Sequence, residues 1–239
     1  MPSLSAGHES EFQPRIISHD ADLLEQSYRL RYQVYCVERG FLDPGAYPDQ
    51  REIDEFDDHS VHVGAIDGRG RLAATARIIK HNPGGFPLFR HCTLFPEVRT
   101  LDEPGTVAVE ASRVAISRDY ARRRRTEPFL TLIKAVMQAA KRAGATHILG
   151  ATEASFQRFV VHYGIPFRTS GPVADYYGPV APSLLSLQEL DDAIVSGRYA
   201  TLEGFPVGWD PNQWPGQTGH AQIPSRSRAT TTGEPALSQ

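Results

Sequence analysis

The chain has 239 residues, of which 40% are hydrophobic and 22% charged, a composition typical of a globular protein with one large domain, with or without tails. A net charge of −3 and a pI near 6.3 exclude a globally basic nucleic-acid-binding protein, so any electrostatic function must come from local charge. The two cysteines, Cys36 and Cys92, are too few for a disulfide framework, although a single bridge remains open.

No apolar run is long enough to cross a bilayer, and the start "MPSLSAGHESEF" lacks the basic and apolar regions of a secretory signal. We therefore predict a cytoplasmic protein without a membrane span. Residues 1–13 are polar and aperiodic, and residues 206–239 are rich in Pro, Gly, Ser and Thr, so both are predicted to be disordered tails. Residues 14–205 are predicted to form a single domain.

The first half of that domain alternates helical and strand patterns. Residues 18–40 carry apolar residues at helical spacing, with Ser18 and Asp20 as candidate N-caps and Gly40 as the end. Residues 59–80 read as two strands joined through "DGRG", a hairpin signal. A third strong strand follows in "TVAVEASRVAIS".

The second half begins with "FLTLIKAVMQAAKRAG", an amphipathic helix that ends at Gly144. A short strand, a short helix, a strand pair and a last helix are predicted after it. The apolar face of the amphipathic helix is predicted to consist of Leu130, Ile133, Met137 and Ala140. This order of elements favours a mixed α/β layer domain.

The stretch "EIDEFDDHS" concentrates acidic side chains in a loop. Five carboxylates fall within seven positions: Glu52, Asp54, Glu55, Asp57 and Asp58. Loop acids are usually solvated, but such crowding of like charge is also expected where a cation or an ammonium group binds. His59 and His62 follow, yet their spacing fits no standard zinc pattern, so we predict no metal.

Charged residues also interrupt strands that are otherwise apolar. In "VAVEASRVAI", period-2 alternation places Glu110 and Ser112 on one face and Arg113 on the other, and Arg77 intrudes in "AATARII". A charge that is buried alone is costly, so each of these needs a partner. Two interpretations remain: a structural ion-pair network, or a polar cleft cut into the sheet.

The ordered segments "RLRYQVYCVERGF", "EIDEFDD", "ATARII", "LFP" and "VEASRVAI" resemble the autoinducer (acyl-homoserine-lactone) synthases. Within that group the chain most resembles the acyltransferases associated with PEP-CTERM/exosortase systems, all in the GCN5-related N-acyltransferase (GNAT) superfamily. The resemblance runs from about residue 14 to residue 190. It implies the GNAT fold, an α/β fold whose mixed central sheet is flanked by helices and splayed between the fourth and fifth strands.

The resemblance also implies a set of site residues. The family's helix arginine falls on Arg31, and its two aromatic positions carry Tyr35 and Phe41, where phenylalanine and tryptophan are usual. The other charged positions of the family pattern fall on Glu52, Asp54, Asp57, Arg77, Glu110 and Arg113. Six charged side chains, Arg31, Asp54, Asp57, Arg77, Glu110 and Arg113, are expected to meet in a single cavity.

In such a family site the acids surround a small amine-bearing acceptor while the arginines hold them in place. We predict catalytic roles for Glu110, as base or orienting group, and for Asp54 and Asp57, with backbone N–H groups beside Ser112 stabilising an oxyanion. Arg31, Arg77 and Arg113 are predicted to organise the acids, because guanidinium stays protonated.

Two further sites are predicted. GNAT enzymes commonly have a glycine-rich phosphate-binding loop where this chain has Arg122, Arg123, Arg124 and Arg125. Without those glycines the run is predicted either to bind an acidic acyl carrier protein or to be a solvated charge run. The acyl chain is predicted to lie in a tunnel, with plain core packing as the alternative. The tunnel candidates are Val114, Ile116, Leu149, Phe156 and Phe159.

The resulting hypothesis is an N-acyltransferase that moves a fatty acyl group from an acyl carrier protein or CoA thioester to the amine of a small amino-acid-like acceptor. It implies no tightly bound cofactor. One alternative is an acyl-homoserine-lactone synthase that uses S-adenosylmethionine. Another is a non-catalytic GNAT-like module that binds an acyl carrier or a lipid.

Overall fold

A computed structural model describes residues 11–96, 98, 100–120, 126–203 and 205. The predicted basic run Arg122–Arg125, and nearly all of both predicted tails, lie outside these residues. The strands are β1 Phe12–Ile16, β2 Ser60–Asp67, β3 Leu72–Ile79, β4 Ala108–Ile116, β5 His147–Thr152, β6 Arg168–Thr169, β7 Ala174–Asp175 and β8 Pro179–Ser186. The helices are α1 Ala21–Tyr32, α2 Glu127–Arg142, α3 Ala154–His162 and α4 Leu187–Val195, with a π-helical turn at Gln33–Glu38.

The strands form one mixed sheet in the order β1-β2-β3-β4-β5-β8-β6, with β7 also paired to β8. Only β4 and β5 pair in parallel, and the other pairs are antiparallel. Helix α2 packs against β1 to β4, and α1 against β3 and β4. This is the GNAT fold that the sequence predicted. None of the helices in the described part of the chain is long and apolar enough to span a membrane.

Strands β4 and β5 pair over only three residues each. The last pair is Glu110 with Leu149, after which β5 continues along β8 while β4 continues along β3. The predicted splay between the fourth and fifth strands therefore begins at Glu110. A wedge-shaped space opens there between β4 and β5, whose facing edges no longer pair with each other.

A β-bulge in β4 overturns the predicted alternation at Arg113. The register against β3 shifts between Thr75 and Arg77, and Arg113 has a φ of 53°, a left-handed conformation unusual for a side chain other than glycine. Regular alternation would direct Arg113 away from the face of Ser112. Instead, Arg113 and Arg77 both bind Asp54, so the bulge brings Arg113 to the same charged cluster.

Local signals predicted most element boundaries correctly. Asp20 caps α1 by accepting from the Leu23 N–H at 3.1 Å, and Gly40 ends the helical segment with φ 64°. The hydroxyl of Ser18 accepts instead from the backbone N–H of His62, so Ser18 is not the cap. Strand β1 was not predicted; it begins at Phe12, inside the segment that the sequence assigned to a tail.

Candidate active site

Three arginines and three acids form a closed ring in which the charges alternate. In order around the ring, the members are Arg31, Glu52, Arg113, Asp54, Arg77 and Asp57. Every neighbouring pair makes a charge-assisted hydrogen bond, and the six formal charges cancel. Glu52, Asp54 and Asp57 of the acidic stretch are thus paired with arginines, whereas Glu55 and Asp58 are exposed.

Arg31, from α1, joins two acids of the loop that follows the helix. Its Nε donates to Glu52 Oε2 at 2.6 Å, and its Nη1 and Nη2 bind both oxygens of Asp57 at 2.7 and 3.0 Å. Arg31 and Glu52 have exposed fractions of 1% and 0%. A bidentate fork between a guanidinium and a carboxylate is the geometry in which a buried ion pair is strongest.

The strand arginines close the ring. Arg77 binds both oxygens of Asp54 and reaches Asp57 Oδ1 at 2.9 Å. Arg113 donates from Nε to Glu52 Oε1 at 3.1 Å and from Nη2 to Asp54 Oδ2 at 3.0 Å. The ring thus connects α1, the acidic loop, β3 and β4 through side chains alone.

Members of the ring hold one another in their ionised forms, as the pKa values of Asp57, Asp54 and Arg113 indicate. Burial acts to raise the pKa of Asp57, but the hydrogen bonds and charge of Arg31 and the charge of Arg77 outweigh it and hold that pKa well below its usual range. Burial likewise acts to lower the pKa of Arg113, but the negative charges of Glu52 and Asp54 outweigh burial and raise that pKa above its usual value. Arg77 and Arg113 likewise lower the pKa of Asp54 against the effect of burial, so Asp54 and Asp57 stay ionised at physiological pH and are poor proton acceptors.

His62 lies beside the ring without carrying charge. Its Nε2 is 3.6 Å from Asp57 Oδ1, while burial is the largest of the effects that lower the pKa of His62 to about 4. The imidazole is neutral at pH 7, so the ring remains electrically balanced without it. Among the described residues, no group of three or more His, Cys, Asp or Glu side chains is arranged to hold a metal ion.

Glu110 lies apart from the ring. Its side chain is 1% exposed, and Oε2 accepts from the backbone N–H of Leu88 at 3.0 Å. Burial raises the pKa of Glu110 to about 7, although the Leu88 N–H and the charges of Arg77 and Arg113 oppose the rise. A carboxyl group that titrates near neutrality is suited to proton transfer, unlike Asp54 and Asp57 with their lowered pKa values.

A cavity of about 570 Å³ fills the wedge between β4 and β5. The part bordered by Glu110, Ser112, Arg113, Tyr35 and Tyr176 is called its polar end here, and the ion pair of Arg39 with Glu153 also lines the cavity. Its remaining wall is largely apolar and comes from β4, β5 and helices α2 and α3. Pockets of this size, mostly apolar with a few convergent polar groups, are typical of small-molecule sites.

Four of the five predicted tunnel residues line this cavity: Val114, Ile116, Phe156 and Phe159. Leu149 does not. It is fully buried in a core cluster with Leu88, Cys92 and Val180, because alternation along β5 turns Ile148 and Gly150 toward the cavity instead. The sequence analysis missed Tyr176 and Tyr177, which lie in a loop without helical or strand periodicity.

The charged side chains divide between the ring and the cavity, which corrects the expectation that all six meet in one cavity. Of those six, only Glu110 and Arg113 line it. Asp57 has 3% of its side chain exposed and Asp54 22%, and both bind arginines. Ser112 lines the cavity, and its Oγ accepts from Arg77 Nε at 3.1 Å. Asp54 and Asp57 are therefore placed to hold arginines rather than to contact a bound molecule.

The two aromatic positions lie at the polar end, as the resemblance implied. Tyr35 sits in the π-helical turn, an irregularity that often occurs at functional sites, and its hydroxyl donates to the Val114 carbonyl at 2.9 Å. The Arg113 guanidinium lies 5.5 Å from the centre of the Tyr35 ring. Phe41 lies 6.2 Å from Tyr35, so both rings shape the same wall.

Comparison with known proteins agrees with this fold. Residues 30–131 match the family model described as Acetyltransferase (GNAT) domain. The described residues therefore have the GNAT fold, and residues 30–131 are similar to an acetyltransferase domain of that fold.

Three solved structures show the likeness in detail. BjaI, a CoA-dependent acyl-homoserine lactone synthase solved with SAM and isopentyl-CoA, is 21% identical with a TM-score of 0.58, over 79% of this chain and 89% of BjaI. TofI, solved in a ternary complex with an inhibitor and MTA, is 20% identical with a TM-score of 0.56, over 73% and 91%. FeeM, an N-acyl amino acid synthase from uncultured soil microbes, is 16% identical with a TM-score of 0.52, over 76% and 94%. At these identities the likeness is one of fold.

The ring predicts a large difference between two arginines of α1. Arg31→Ala would open the ring, leave Glu52 and Asp57 with one arginine each, and bury one negative charge in excess, and we expect it to lower the free energy of unfolding by about 3–5 kcal/mol. Arg29→Ala removes a surface pair with Glu25 and is expected to cost less than about 1 kcal/mol. Urea unfolding of both variants measures the difference. Equal losses would contradict a structural role for the ring.

The raised pKa of Glu110 predicts a pH-dependent penalty. With a pKa of about 7 in the folded protein against 4.5 ordinarily, the folded state binds more protons between these values, so stability falls as pH rises through that window. Glu110→Gln should abolish the fall and be more stable than wild type at pH 8 by up to about 3 kcal/mol. Thermal unfolding at pH 5 and pH 8 tests this. Glu55→Gln, at an exposed position, should keep the wild-type pH dependence.

Proposed function

We propose that this protein is an N-acyltransferase that transfers a fatty acyl group from a carrier thioester to the amine of a small amino-acid-like acceptor. The observation that carries the proposal is Glu110, a carboxyl group with a pKa near 7 at the polar end of a largely apolar cavity. The apolar part suits an acyl chain, and the polar end suits an amine and a thioester carbonyl.

Glu110 serves as the general base in this proposal. It takes a proton from the ammonium group of the acceptor, and the free amine attacks the thioester carbonyl. The new C–N bond forms, the C–S bond breaks, and the thiol of the carrier leaves. Backbone N–H groups of β4 near Ser112, where the strand has parted from β5, would stabilise the oxyanion.

The ring takes part in this chemistry indirectly, through the position of Arg113. By fixing Arg113 against Glu52 and Asp54, it places a permanent positive charge beside Glu110 and Tyr35. Asp54 and Asp57 are positioning residues here, rather than groups that touch the substrate. A non-catalytic lipid-binding module would need neither the charged ring nor a base with a neutral pKa.

The donor is proposed to be an acyl carrier protein or CoA thioester, used as a substrate rather than as a bound cofactor. Arg122 to Arg125 remain the predicted contact for the acidic carrier protein. BjaI was solved with isopentyl-CoA, which supports a thioester donor for this fold. A role beside PEP-CTERM/exosortase systems rests on the sequence resemblance.

The second candidate is acyl-homoserine-lactone synthesis from S-adenosylmethionine. The likeness in fold to BjaI favours it, whereas the likeness to FeeM favours an N-acyl amino acid. To distinguish the two candidate functions, the protein is incubated with an acyl thioester and either S-adenosylmethionine or mixed amino acids. The mass of the product then identifies the reaction. A lactone with methylthioadenosine identifies the second candidate, and an N-acyl amino acid identifies the first.

If Glu110 is the base, kcat/KM should rise with pH through about 7 and then level off. Glu110→Gln, which keeps the size of the side chain, should lower kcat about 10²- to 10⁴-fold and remove that rise. Glu55→Gln should retain wild-type turnover, because Glu55 lies on the surface paired with Arg90. Unchanged turnover in Glu110→Gln would contradict the assignment.

The cavity also predicts how acyl-chain preference can be altered. Phe156 lines the cavity from α3 and is half-buried, so Phe156→Ala should enlarge the apolar end and favour longer acyl chains. Each further methylene that is buried should gain about 0.8 kcal/mol, roughly fourfold in kcat/KM. Val161→Ala, at an exposed site of the same helix, should leave the preference as in wild type. The acyl-chain preference of each variant is measured by competition among thioesters of different acyl length.

A further inference from the structure

One ion pair crosses the wedge between the two strands that part at Glu110. Arg39 directly follows the π-helical turn and pairs with Glu153, which directly follows β5. Both side chains line the cavity, and both are partly exposed. The pair therefore stands where the cavity meets solvent.

The Arg39 side of the pair is anchored to β4. Within the turn that precedes Arg39, the Tyr35 hydroxyl donates to the Val114 carbonyl at 2.9 Å. Glu38 forms an ion pair at 2.9 Å with Arg118, just past the end of β4. Arg39 is therefore carried by a segment that is fixed to one strand of the wedge.

Glu153 is carried by the other strand. It lies between the last residue of β5 and the first residue of α3, where β5 pairs with β8 and no longer with β4. Leu149, the residue that pairs with Glu110, precedes Glu153 by a stretch of strand that covers about 13 Å when extended. The ion pair thus joins the parted strands well away from Glu110, at the end where the wedge is open.

This ion pair is weak enough to open and close. The Arg39 and Glu153 side chains are 46% and 36% exposed, and an ion pair at such exposure favours its closed form only about two- to fivefold. The Arg39 guanidinium also lies 4.7 Å from the centre of the Phe41 ring, a contact that limits the orientations it can adopt. Opening therefore requires only a small free-energy change, unlike any change in the buried ring of arginines and acids.

We propose that the Arg39–Glu153 ion pair is a gate that closes the empty cavity and opens to admit the acyl thioester. The inference rests on the proposed acyl transfer, in which the carrier stays outside while its acyl chain reaches the apolar wall. Phe156, which lines that wall, lies about one helical turn past Glu153. An acyl chain that enters between Arg39 and Glu153 therefore reaches apolar surface at once.

The small acceptor has a different route in this proposal. Tyr177 lines the cavity and is 44% exposed, and its ring lies 5.0 Å from the Tyr176 ring at the polar end. An amine that enters there reaches Glu110 without passing Arg39 and Glu153. Opening of the gate should therefore affect the donor and not the acceptor.

The test measures the entry of a donor analogue that is uncharged and cannot react. An S-alkyl-pantetheine thioether keeps the arm and the chain of the donor but has no thioester carbonyl, so its binding to the full-length protein is independent of acyl transfer. We expect Arg39→Gln and Glu153→Gln each to raise its association rate constant about two- to fivefold, because the ion pair no longer competes with the open form. Surface plasmon resonance on the immobilised protein measures this rate constant.

Salt provides a second measurement of the same gate. Raising the ionic strength from about 0.01 M to about 1 M screens an exposed ion pair but acts little on an uncharged ligand. The association rate of the wild-type protein should therefore approach that of the two Gln variants. The charge-reversed double variant, Arg39→Glu with Glu153→Arg, should restore the slow association and its salt dependence.

A matched ion pair outside the cavity controls for the general effects of a lost surface charge. Arg90 pairs with Glu55, and these side chains are 47% and 64% exposed. The Arg90 guanidinium lies 4.5 Å from the centre of the Phe56 ring, as that of Arg39 lies over Phe41, but neither Arg90 nor Glu55 lines the cavity. Arg90→Gln and Glu55→Gln should therefore keep wild-type association at both ionic strengths.

Wild-type association rates in Arg39→Gln and Glu153→Gln would overturn the gate, as would fast association in the charge-reversed variant. Variants that lower the KM for the amine but leave thioether association unchanged would overturn the donor route. Failure of the proposed function looks different, because the wild-type protein would then bind the thioether with the expected salt dependence and yet acylate no amine. A wild-type protein that binds no thioether would also overturn the gate.

Discussion

The alternating ring of three arginines and three carboxylates is the constraint on which the rest of the site depends. Its members come from α1, the acidic loop, β3 and β4, elements that are far apart in sequence. Charges this deeply buried are stable only when all of them are paired, so the ring forms as a whole or not at all. Its closure fixes where β4 lies relative to α1, and hence where the cavity wall lies.

The bulge at Arg113 connects the ring to the cavity. A regular strand would leave Arg113 on the wrong face, and its left-handed conformation has a local energetic cost that the bonds to Glu52 and Asp54 offset. The same irregularity lies just past Glu110, where β4 parts from β5. The bulge therefore places the Arg113 guanidinium next to the point where the wedge opens.

The site separates two tasks that acids perform in proteins. Acids that lie against arginines are held ionised and serve as structure, as Asp57 does. Glu110 has only a backbone N–H as a direct partner among its described hydrogen bonds, so burial dominates and the group titrates near neutrality. The difference between a scaffold and a candidate base thus lies in the environment and not in the residue type.

The sequence by itself determined the order of the elements after β1 and, through its family resemblance, the GNAT fold, and it indicated that the charges inside apolar strands need partners. Caps, turn signals, apolar periodicity and charges inside apolar strands are local features, so they can be read along the chain. Tertiary structure alone decided that Asp54 and Asp57 hold arginines while Glu110 faces the cavity, that Arg113 turns through a bulge, and that Tyr176 joins the site. Those outcomes depend on register shifts and on loop packing between distant segments. Neither produces a periodic pattern of residues from which it could be predicted.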